Sequence, residues 1–308
     1  MSDLLFSITI PVYNNEKTIE KTINSCLKQK GDIPYEILIL DDASTDSVPK
    51  ILSRYQENPK IRVITLEQRI SLMENHNACL QHALGDYVIF CHADDTLEEH
   101  AIETLYYQLK KRRFPQKYIV WGHTIFKDFA EKAIYEAGFN YNEIVVGEFA
   151  PLMFLYGGLQ PTGTCYSRAS LIEYGSFLPV DHNSSPSDMT TMIYLAMQGF
   201  RFEMIDEMIL NREQATTSIQ NAGTEDLYLR DLDDAFAYFI PTLSPESIDK
   251  LIYMSGKQKT KPFYFYHAIL QDSRYKGAVK AVILHTLLKK PWLLRSKLIH
   301  KILKRIYL

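Results

Sequence analysis

The chain has 308 residues, of which 46% are hydrophobic and 23% are charged, and its formal net charge is -3. These values fit a globular protein with one large domain or a domain plus an appendage, and they argue against nucleic-acid binding over the whole surface. Its four cysteines are scattered without a CxxC pair, as is typical of core residues in a reducing compartment. We find neither a signal peptide nor a run of about 18 apolar residues, so we expect a cytoplasmic protein.

The first half of the chain alternates short apolar runs with amphipathic segments. These runs predict strands at residues 6–12, 36–41, 61–66, 87–91 and 118–121, and helices at residues 16–29, 48–57, 71–84 and 97–112. Repeated strand–helix units predict a parallel sheet with helices on both faces. Residues 142–211 are mixed, and the chain after residue 221 is predicted to be mostly helical.

Two adjacent carboxylates, Asp94 and Asp95, follow the fourth predicted strand. The two negative charges repel each other unless a positive charge lies between them. Carboxylate oxygens are hard ligands that suit Mg²⁺ or Mn²⁺. Ligands of open α/β sheets bind at this end of the strands. The alternative is that the pair only caps the helix predicted at residues 97–112.

The chain has no glycine-rich phosphate loop of the GxGxxG or GxxxxGK[ST] type. If a nucleotide binds, a metal ion must therefore hold its phosphates. Asp42, after the second predicted strand, lies on the same edge of the sheet and can accept a hydrogen bond from a base N–H.

Four motifs together resemble the family 2 glycosyltransferases with the GT-A fold. They are ITIPVYN at residues 8–14, ILDDASTD at 39–46, Asn77 with ALGDYV at 83–88, and ADD at 93–95. The resemblance implies an α/β GT-A nucleotide-diphospho-sugar transferase fold with a mostly parallel central sheet flanked by helices. It implies a transferase domain at residues 1–220, with a donor half to about 121 and an acceptor half from about 122, and a helical C-terminal region at 221–308.

The resemblance also implies an inverting transfer from a nucleotide sugar, for which we expect a UDP-sugar, to a glycan or lipid-linked glycan in cell-surface polysaccharide synthesis. Mn²⁺ or Mg²⁺ would be the cofactor, and Asp94 and Asp95 fall on the metal-binding acidic signature. Asp188, at the start of a predicted helix, would be the catalytic base, and Arg212 or Gln214 would contact the diphosphate. The residues implied for the donor nucleotide are Pro11, Val12, Tyr13, Asp42, Asn77, His92, Ala93 and Asp94.

Three positions depart from the family pattern, and a His that is common after the base helix is not evident, which is why Arg212 or Gln214 is assigned to the diphosphate. His92 replaces the usual first Asp of the acidic signature, His76 replaces an Arg before the matching Asn, and Ser187 replaces a Glu before the base. A non-catalytic nucleotide-sugar-binding protein is therefore one alternative, and a helix N-cap is the alternative role for Asp188. A sugar-phosphate nucleotidyltransferase is another, although its usual glycine-rich, basic first loop is missing here.

The C-terminal end is strongly basic. Residues 273–308 contain ten of the chain's 34 Lys and Arg residues and none of its 37 Asp and Glu residues. Residues 291–308 predict a basic amphipathic helix that lies on an anionic membrane, peripheral at its inner face and close to a lipid-linked acceptor. The alternative is a helix that packs on the catalytic domain or on a second copy of the chain. Four apolar residues recur at four-residue steps in this segment: Leu294, Leu298, Ile302 and Ile306.

Overall fold

The computed structural model describes residues 4–124, 140–147, 150, 161–178, 186–212, 240, 243–255 and 263–308. The strands in this part are β1 Phe6–Val12, β2 Tyr35–Asp41, β3 Ile61–Thr65, β4 Tyr87–Phe90, β5 Asp95–Leu97, β6 Tyr118–Thr124, β7 Ile144–Val145, β8 Thr164–Ser167 and β9 Arg201–Arg212. The helices are α1 Ile19–Leu27, α2 Val48–Leu52, α3 Leu72–His82, α4 Ala101–Lys111, α5 Arg168–Glu173, α6 Pro186–Met197, α7 Pro245–Ser255, α8 Phe263–Ile269, α9 Lys276–Lys289 and α10 Lys297–Tyr307.

These strands form one sheet in the order β3-β2-β1-β4-β8-β6-β9-β5, with β7 against β9. The neighbours β3, β2, β1 and β4 are parallel, as the repeated strand–helix units predict. The strand β8 is antiparallel to both β4 and β6, and β5 and β7 are antiparallel to β9. The carboxyl ends of β1, β2 and β4 therefore meet at one edge of the parallel part.

Helices cover both faces of the sheet, as expected. Along β2, Leu38 lies in a core that includes Leu80 of α3, whereas Ile39 lies in a second core that includes Ile23 of α1. Successive side chains of a strand point to opposite faces, so one apolar strand supplies both cores. This is why the central strands are apolar throughout instead of alternating with polar residues.

The helix predicted at residues 97–112 begins later than expected. Asp95–Leu97 is a short strand paired with β9, and α4 begins at Ala101 after the N-cap residue His100. The alternative in which Asp94 and Asp95 cap this helix is therefore wrong, because the second carboxylate belongs to a strand. The single helix predicted at residues 48–57 is instead the short helix α2 followed by the 3₁₀ turn Ser53–Tyr55.

The C-terminal segment differs from the single amphipathic helix that was predicted. Pro291–Arg295 forms a 3₁₀ turn, and the Ser296 side chain then caps α10 by accepting the N–H of Ile299. The apolar face of α10 is buried against the protein, and Arg305 on the same helix donates to the carbonyl oxygen of His267 at 2.6 Å. The packing alternative is therefore correct for this face, which cannot also enter a membrane. The buried residues of α10 are Leu298, Ile299, Ile302 and Ile306. Within the described part, every helix is too short or too polar to cross a bilayer.

Candidate active site

The acidic turn after β4 forms the centre of the site. His92, Asp94 and Asp95 each offer one ligand atom, and these atoms lie within 4.8 Å of one another. The hydroxyl of Thr162 accepts the backbone N–H of His92 at 3.1 Å and donates to Asp95 Oδ2 at 2.9 Å. One threonine therefore holds both ends of the turn in a defined position.

Helix α1 supports the turn from beneath. The hydroxyl of Thr22 lies 3.0 Å from the carbonyl oxygen of Ala93 and 2.7 Å from that of Asp95, so its single proton serves both. The Ser25 hydroxyl accepts the N–H of Leu97 at 3.1 Å. Ala93 is buried in this arrangement. Its contacts hold the turn in place and lend no support to the predicted contact with a nucleotide.

The charges at the turn are unbalanced. Burial, followed by the charge of Asp94, raises the pKa of Asp95 to about 7, and burial also raises the pKa of Asp94. The nearby charge of Arg212 acts in the opposite direction on both carboxyl groups. Burial of two carboxylates disfavours their ionised forms, and a nearby cation restores them. The structure thus brings Arg212 to the predicted metal residues, whereas Gln214 lies outside the described residues.

The two histidines that depart from the family pattern contact each other. His76 Nε2 lies 3.0 Å from His92 Nε2, and His76 Nδ1 donates to the carbonyl oxygen of Leu72 at 2.7 Å. Burial lowers the pKa of His76 to about 3 and that of His92 to about 4, so both rings are neutral at pH 7. The His76 ring packs between Phe90 and Phe177, with centroid distances of 4.9 and 5.6 Å. Sequence reasoning recorded both substitutions but could not reveal their contact.

A second group of side chains lies at the ends of β1 and β2. The guanidinium carbon of Arg69 is 4.0 Å from the centroid of the Tyr13 ring, and Asp42 Oδ1 accepts the N–H of Ile70 at 2.8 Å. Burial raises the pKa of Asp42, and the charge of Arg69 opposes this shift. Sequence reasoning missed Arg69, because it belongs to no motif and lies in the loop between β3 and α3.

Asp41 is the other carboxylate of this group, and sequence reasoning gave it no separate role. It is fully buried, and its Oδ1 accepts the N–H of Ser44 at 3.1 Å. Its Oδ2 has no hydrogen-bond partner among the described residues. A buried oxygen without a donor is costly, so an N–H group of a ligand would fit this position. The adjacent pair at 41 and 42 was the available signal.

Three residues predicted at the nucleotide have other contacts. Val12 packs in the hydrophobic core, and its carbonyl oxygen accepts the N–H of Asp42 at 2.9 Å. The Asn77 amide donates to the carbonyl oxygen of Phe177 and accepts its N–H, both at 2.9 Å. These contacts fix the positions of Val12 and Asn77, and their predicted contacts with a nucleotide stay predictions. Pro11 is buried in β1, and its contact with a base stays a prediction.

Asp188 lies in the first turn of α6, which begins at Pro186, so it is inside the helix and not at the N-cap position. It is partly exposed, and its charge adds to the burial that raises the pKa of Tyr166 on β8. The Tyr166 ring packs on Phe90 at 5.9 Å, two residues before His92. Asp188 therefore lies near Tyr166, on the face of the sheet that also carries Phe90.

Comparisons with known proteins concern the family and the fold of the chain. Residues 7–150 match the sequence model of Glycosyl transferase family 2, which confirms the predicted resemblance for this part of the chain. Glycosyltransferase GlyG of Streptococcus pneumoniae is 31% identical over 113 residues, 36% of this chain and 37% of GlyG. Poly(ribitol-phosphate) beta-N-acetylglucosaminyltransferase TarS of Staphylococcus aureus is 32% identical over 102 residues, 32% of this chain and 18% of TarS. The matches thus span less than half of either relative.

Solved structures confirm the predicted GT-A fold. The crystal structure of S. aureus TarS 1-349 in complex with UDP-GlcNAc has a TM-score of 0.63 at 18% identity, covering 97% of this chain and 89% of that one. Mannosyltransferase PcManGT from Pyrobaculum calidifontis, in complex with GDP-Man and Mn2+, has a TM-score of 0.60 at 18% identity, covering 99% and 89%. At this identity the likeness concerns the fold.

Proposed function

Since residues 7–150 match Glycosyl transferase family 2, we propose that this protein is an inverting glycosyltransferase acting on a nucleotide-diphospho-sugar. The sugar passes to a hydroxyl group of a glycan or lipid-linked glycan, and residues 1–220 carry the activity. The observation on which the proposal rests is the cluster of His92, Asp94 and Asp95 at the end of β4, with Arg212 close by.

The donor set of this cluster fits a divalent cation. The two carboxylates suit Mn²⁺ or Mg²⁺, and an imidazole beside them favours a transition-metal ion over Mg²⁺. Burial raises the pKa values of Asp94 and Asp95, and a bound cation would favour their ionised forms. When bound, the cation would neutralise charge on the leaving nucleoside diphosphate. Arg212 would hold the diphosphate beside the cation. The Mn2+ in the PcManGT complex supports the proposal of a bound divalent cation.

A uracil base is the best match for the group formed by Tyr13, Asp41, Asp42 and Arg69. The Tyr13 ring offers a stacking surface, and the carboxylates offer acceptors for the imide N–H of the base. Asp41 has a carboxylate oxygen without a hydrogen-bond partner among the described residues, whereas one Asp42 oxygen accepts the N–H of Ile70. The TarS structure with UDP-GlcNAc supports the proposal of a UDP-sugar donor.

Asp188 is the proposed general base. Inversion requires a group that takes the proton of the acceptor hydroxyl on the face of the sugar opposite the leaving group. A carboxylate in the first turn of α6 is also stabilised in its ionised form by the helix N-terminus. Residues 122–220 would then form the acceptor half, with the acceptor hydroxyl between Asp188 and the donor sugar.

The decisive experiment is donor turnover by the full-length protein. Release of UDP from UDP-GlcNAc and UDP-glucose, with GDP-mannose as a comparison, is measured in Mn²⁺, in Mg²⁺ and in EDTA. Metal-dependent release of UDP, abolished in Asp94→Ala and Asp95→Ala with the fold retained, is the expected result. Full activity in EDTA contradicts the proposal of metal dependence, and binding without turnover favours a non-catalytic binding protein. Pyrophosphate release from a sugar 1-phosphate and a nucleoside triphosphate would identify a nucleotidyltransferase.

The basic C-terminal end supports a position at the inner face of an anionic membrane, with a revised contact surface. Because α10 buries its apolar face, the membrane would be met by three exposed residues at the end of α9 and in the following 3₁₀ turn, Leu288, Trp292 and Leu294. Trp and Leu side chains beside cations favour a lipid interface over a soluble polyanion, which offers no apolar phase. The exposed basic residues around them include Lys289, Arg295 and Lys297.

Vesicle co-sedimentation tests the revised surface. Full-length protein is expected to bind vesicles rich in phosphatidylglycerol, and the double variant Leu288→Ser, Trp292→Ser is expected to lose this binding. Leu84→Ser is the matched control, since Leu84 is exposed but lies outside the basic segment. Equal binding by all three proteins, or no binding at low salt, would reject the membrane proposal.

A further inference from the structure

The proton positions of the pair His76 and His92 follow from its contacts. The carbonyl oxygen of Leu72 can only accept a hydrogen bond, so His76 Nδ1, 2.7 Å away, carries a proton. The His76 ring is fully buried between Phe90 and Phe177, where a charged imidazolium is disfavoured, so the ring carries one proton and its Nε2 has a lone pair. His92 Nε2 lies 3.0 Å from His76 Nε2 and must donate to it. The proton of His92 is therefore on Nε2, and its Nδ1 has a lone pair.

This tautomer leaves His92 with one basic atom beside two carboxylates. The His92 ring offers a ligand atom within 4.8 Å of those of Asp94 and Asp95, and only Nδ1 is not already donating. Thr162 holds the His92 backbone and one oxygen of Asp95, which limits how far the turn can open. An imidazole also adds a ligand to the turn without adding a third negative charge.

We propose that His92 binds the divalent cation through Nδ1, together with the carboxylates of the acidic turn, and that His76 is the positioning residue that fixes the His92 tautomer. Histidines that bind metals generally donate their other ring N–H to an acceptor, which orients the ring. Here the acceptor is a second imidazole, held by the Leu72 carbonyl oxygen. The inference deepens the proposed function, but the pair geometry does not depend on it.

The donor set has a consequence for metal choice. Imidazole nitrogen is a ligand for transition-metal ions, of which Mn²⁺ is the one that also favours carboxylates, whereas Mg²⁺ and Ca²⁺ take oxygen ligands. The protein is therefore expected to bind Mn²⁺ more tightly than Mg²⁺, and His92→Asp should reduce this preference by replacing nitrogen with oxygen.

The first test determines the tautomers without any ligand. The full-length protein is labelled with ¹⁵N-histidine, and long-range ¹H–¹⁵N correlation spectra assign the protonated nitrogen of each ring. His76→Phe and His92→Gln identify the two signals, and circular dichroism checks their folding. We expect the Nδ1–H form for His76 and the Nε2–H form for His92. An Nδ1–H form of His92, or a protonated ring at pH 7, would overturn the proposal.

The second test measures the cation directly. Mn²⁺ alone is titrated into the labelled protein, and electron spin-echo modulation reports whether a ¹⁵N nucleus is directly coordinated. The signal is expected in the wild type and absent in His92→Gln. His76→Phe should weaken Mn²⁺ binding roughly 10- to 100-fold, while His76→Gln, which keeps an acceptor for His92 Nε2–H, should restore part of it.

The outcomes separate this inference from the proposed function. Nitrogen coordination without sugar transfer would support the inference and count against the proposed activity. Metal-dependent transfer without nitrogen coordination in the wild type would support the activity and overturn the inference. Equal Mn²⁺ affinity of His76→Phe and the wild type would reject the positioning role of His76.

Discussion

Arg212 on β9 lies directly opposite Asp95 on β5 in the antiparallel pair at the edge of the sheet. This pairing brings a cation from the end of one long strand to the acidic turn, where its charge favours ionised carboxyl groups. The two residues are separated by more than a hundred positions in the chain, so the sheet alone brings them together. The predicted diphosphate residue and the predicted metal residues thus form one electrostatic unit.

The pKa of Asp95 predicts how stability depends on pH when no cation is bound. The folded protein keeps a proton on Asp95 up to about pH 7, whereas the unfolded chain releases it near its ordinary pKa of about 4. Over this range the folded state binds more protons, so rising pH lowers the free energy of unfolding. In EDTA, Asp95→Asn should therefore have a higher Tm than the wild type at pH 8, and the gap should narrow towards pH 5.

Thermal unfolding by circular dichroism at several pH values checks this expectation. Glu57→Gln serves as the control, because Glu57 is exposed and its neutralisation should leave the Tm nearly unchanged. A lower Tm for Asp95→Asn at pH 8 would contradict the assigned burial of this charge. Addition of Mn²⁺ should reverse the order of the two proteins, since only the carboxylate can serve as an anionic ligand.

Asp188→Asn should separate catalysis from donor binding. Without a carboxylate to accept the proton of the acceptor hydroxyl, kcat is expected to fall roughly 10²- to 10⁴-fold, while the affinity for UDP-sugar stays within a factor of about two. Glu173→Gln, an exposed carboxylate at the end of α5, is the matched control and should keep its rate. A wild-type rate for Asp188→Asn would transfer the role to Asp181 or Glu213, which lie outside the described residues.

Replacing Asp41 or Asp42 by Asn should weaken UDP binding to different extents. An amide in place of a carboxylate that accepts the base N–H should weaken UDP binding roughly 10- to 100-fold, because the bond to a charged acceptor is lost. Asp41 has the oxygen without a hydrogen-bond partner, so Asp41→Asn is expected to have the larger effect. Isothermal titration of UDP into both variants measures the difference. Unchanged affinity in both would exclude this edge of the sheet as the base site.

Breaking the ion pair between Arg112 and Glu203 should lower the stability of the protein without weakening UDP binding. Glu203 is fully buried and accepts hydrogen bonds from Arg112 Nη2 at 2.5 Å and from the Tyr118 hydroxyl. Burial favours a raised pKa for Glu203, but these bonds outweigh it and lower the pKa. The pair's contribution to stability is therefore present at neutral pH and lost as the pH falls through the lowered pKa.

Arg112→Ala should reduce the free energy of unfolding by about 3–5 kcal/mol, because it leaves a buried charge without its partner. Urea unfolding at pH 7 measures this loss, and UDP titration should show unchanged affinity in the folded variant. Lys111→Ala is the control, since Lys111 is exposed at the end of the same helix. A loss below about 1 kcal/mol would contradict the importance of the pair.

Local patterns in the sequence determined β1 to β4 and most of the helices that follow them. The apolar runs that predict β1 to β4 are bounded by turn residues, and α3 has its Ser71 and Glu74 capping box in sequence as well as in the fold. Such signals are local, so neighbouring residues suffice to predict them. The motifs between residues 8 and 95 likewise predicted the acidic turn and the family resemblance that residues 7–150 confirm.

Only the tertiary structure decided which residues meet. The three-residue strand β5 forms because β9 pairs with it, and the residues near Asp95 in the chain contain no signal that predicts this pairing. Two other contacts also join positions that are distant in the chain. His76 contacts His92, and the Asn77 amide is hydrogen-bonded to the Phe177 backbone. The apolar stripe of α10 has the same periodicity whether it faces lipid or protein, and α10 is packed on the protein core. Periodicity specifies which face of an element is apolar, while the packing of the whole chain decides what covers it.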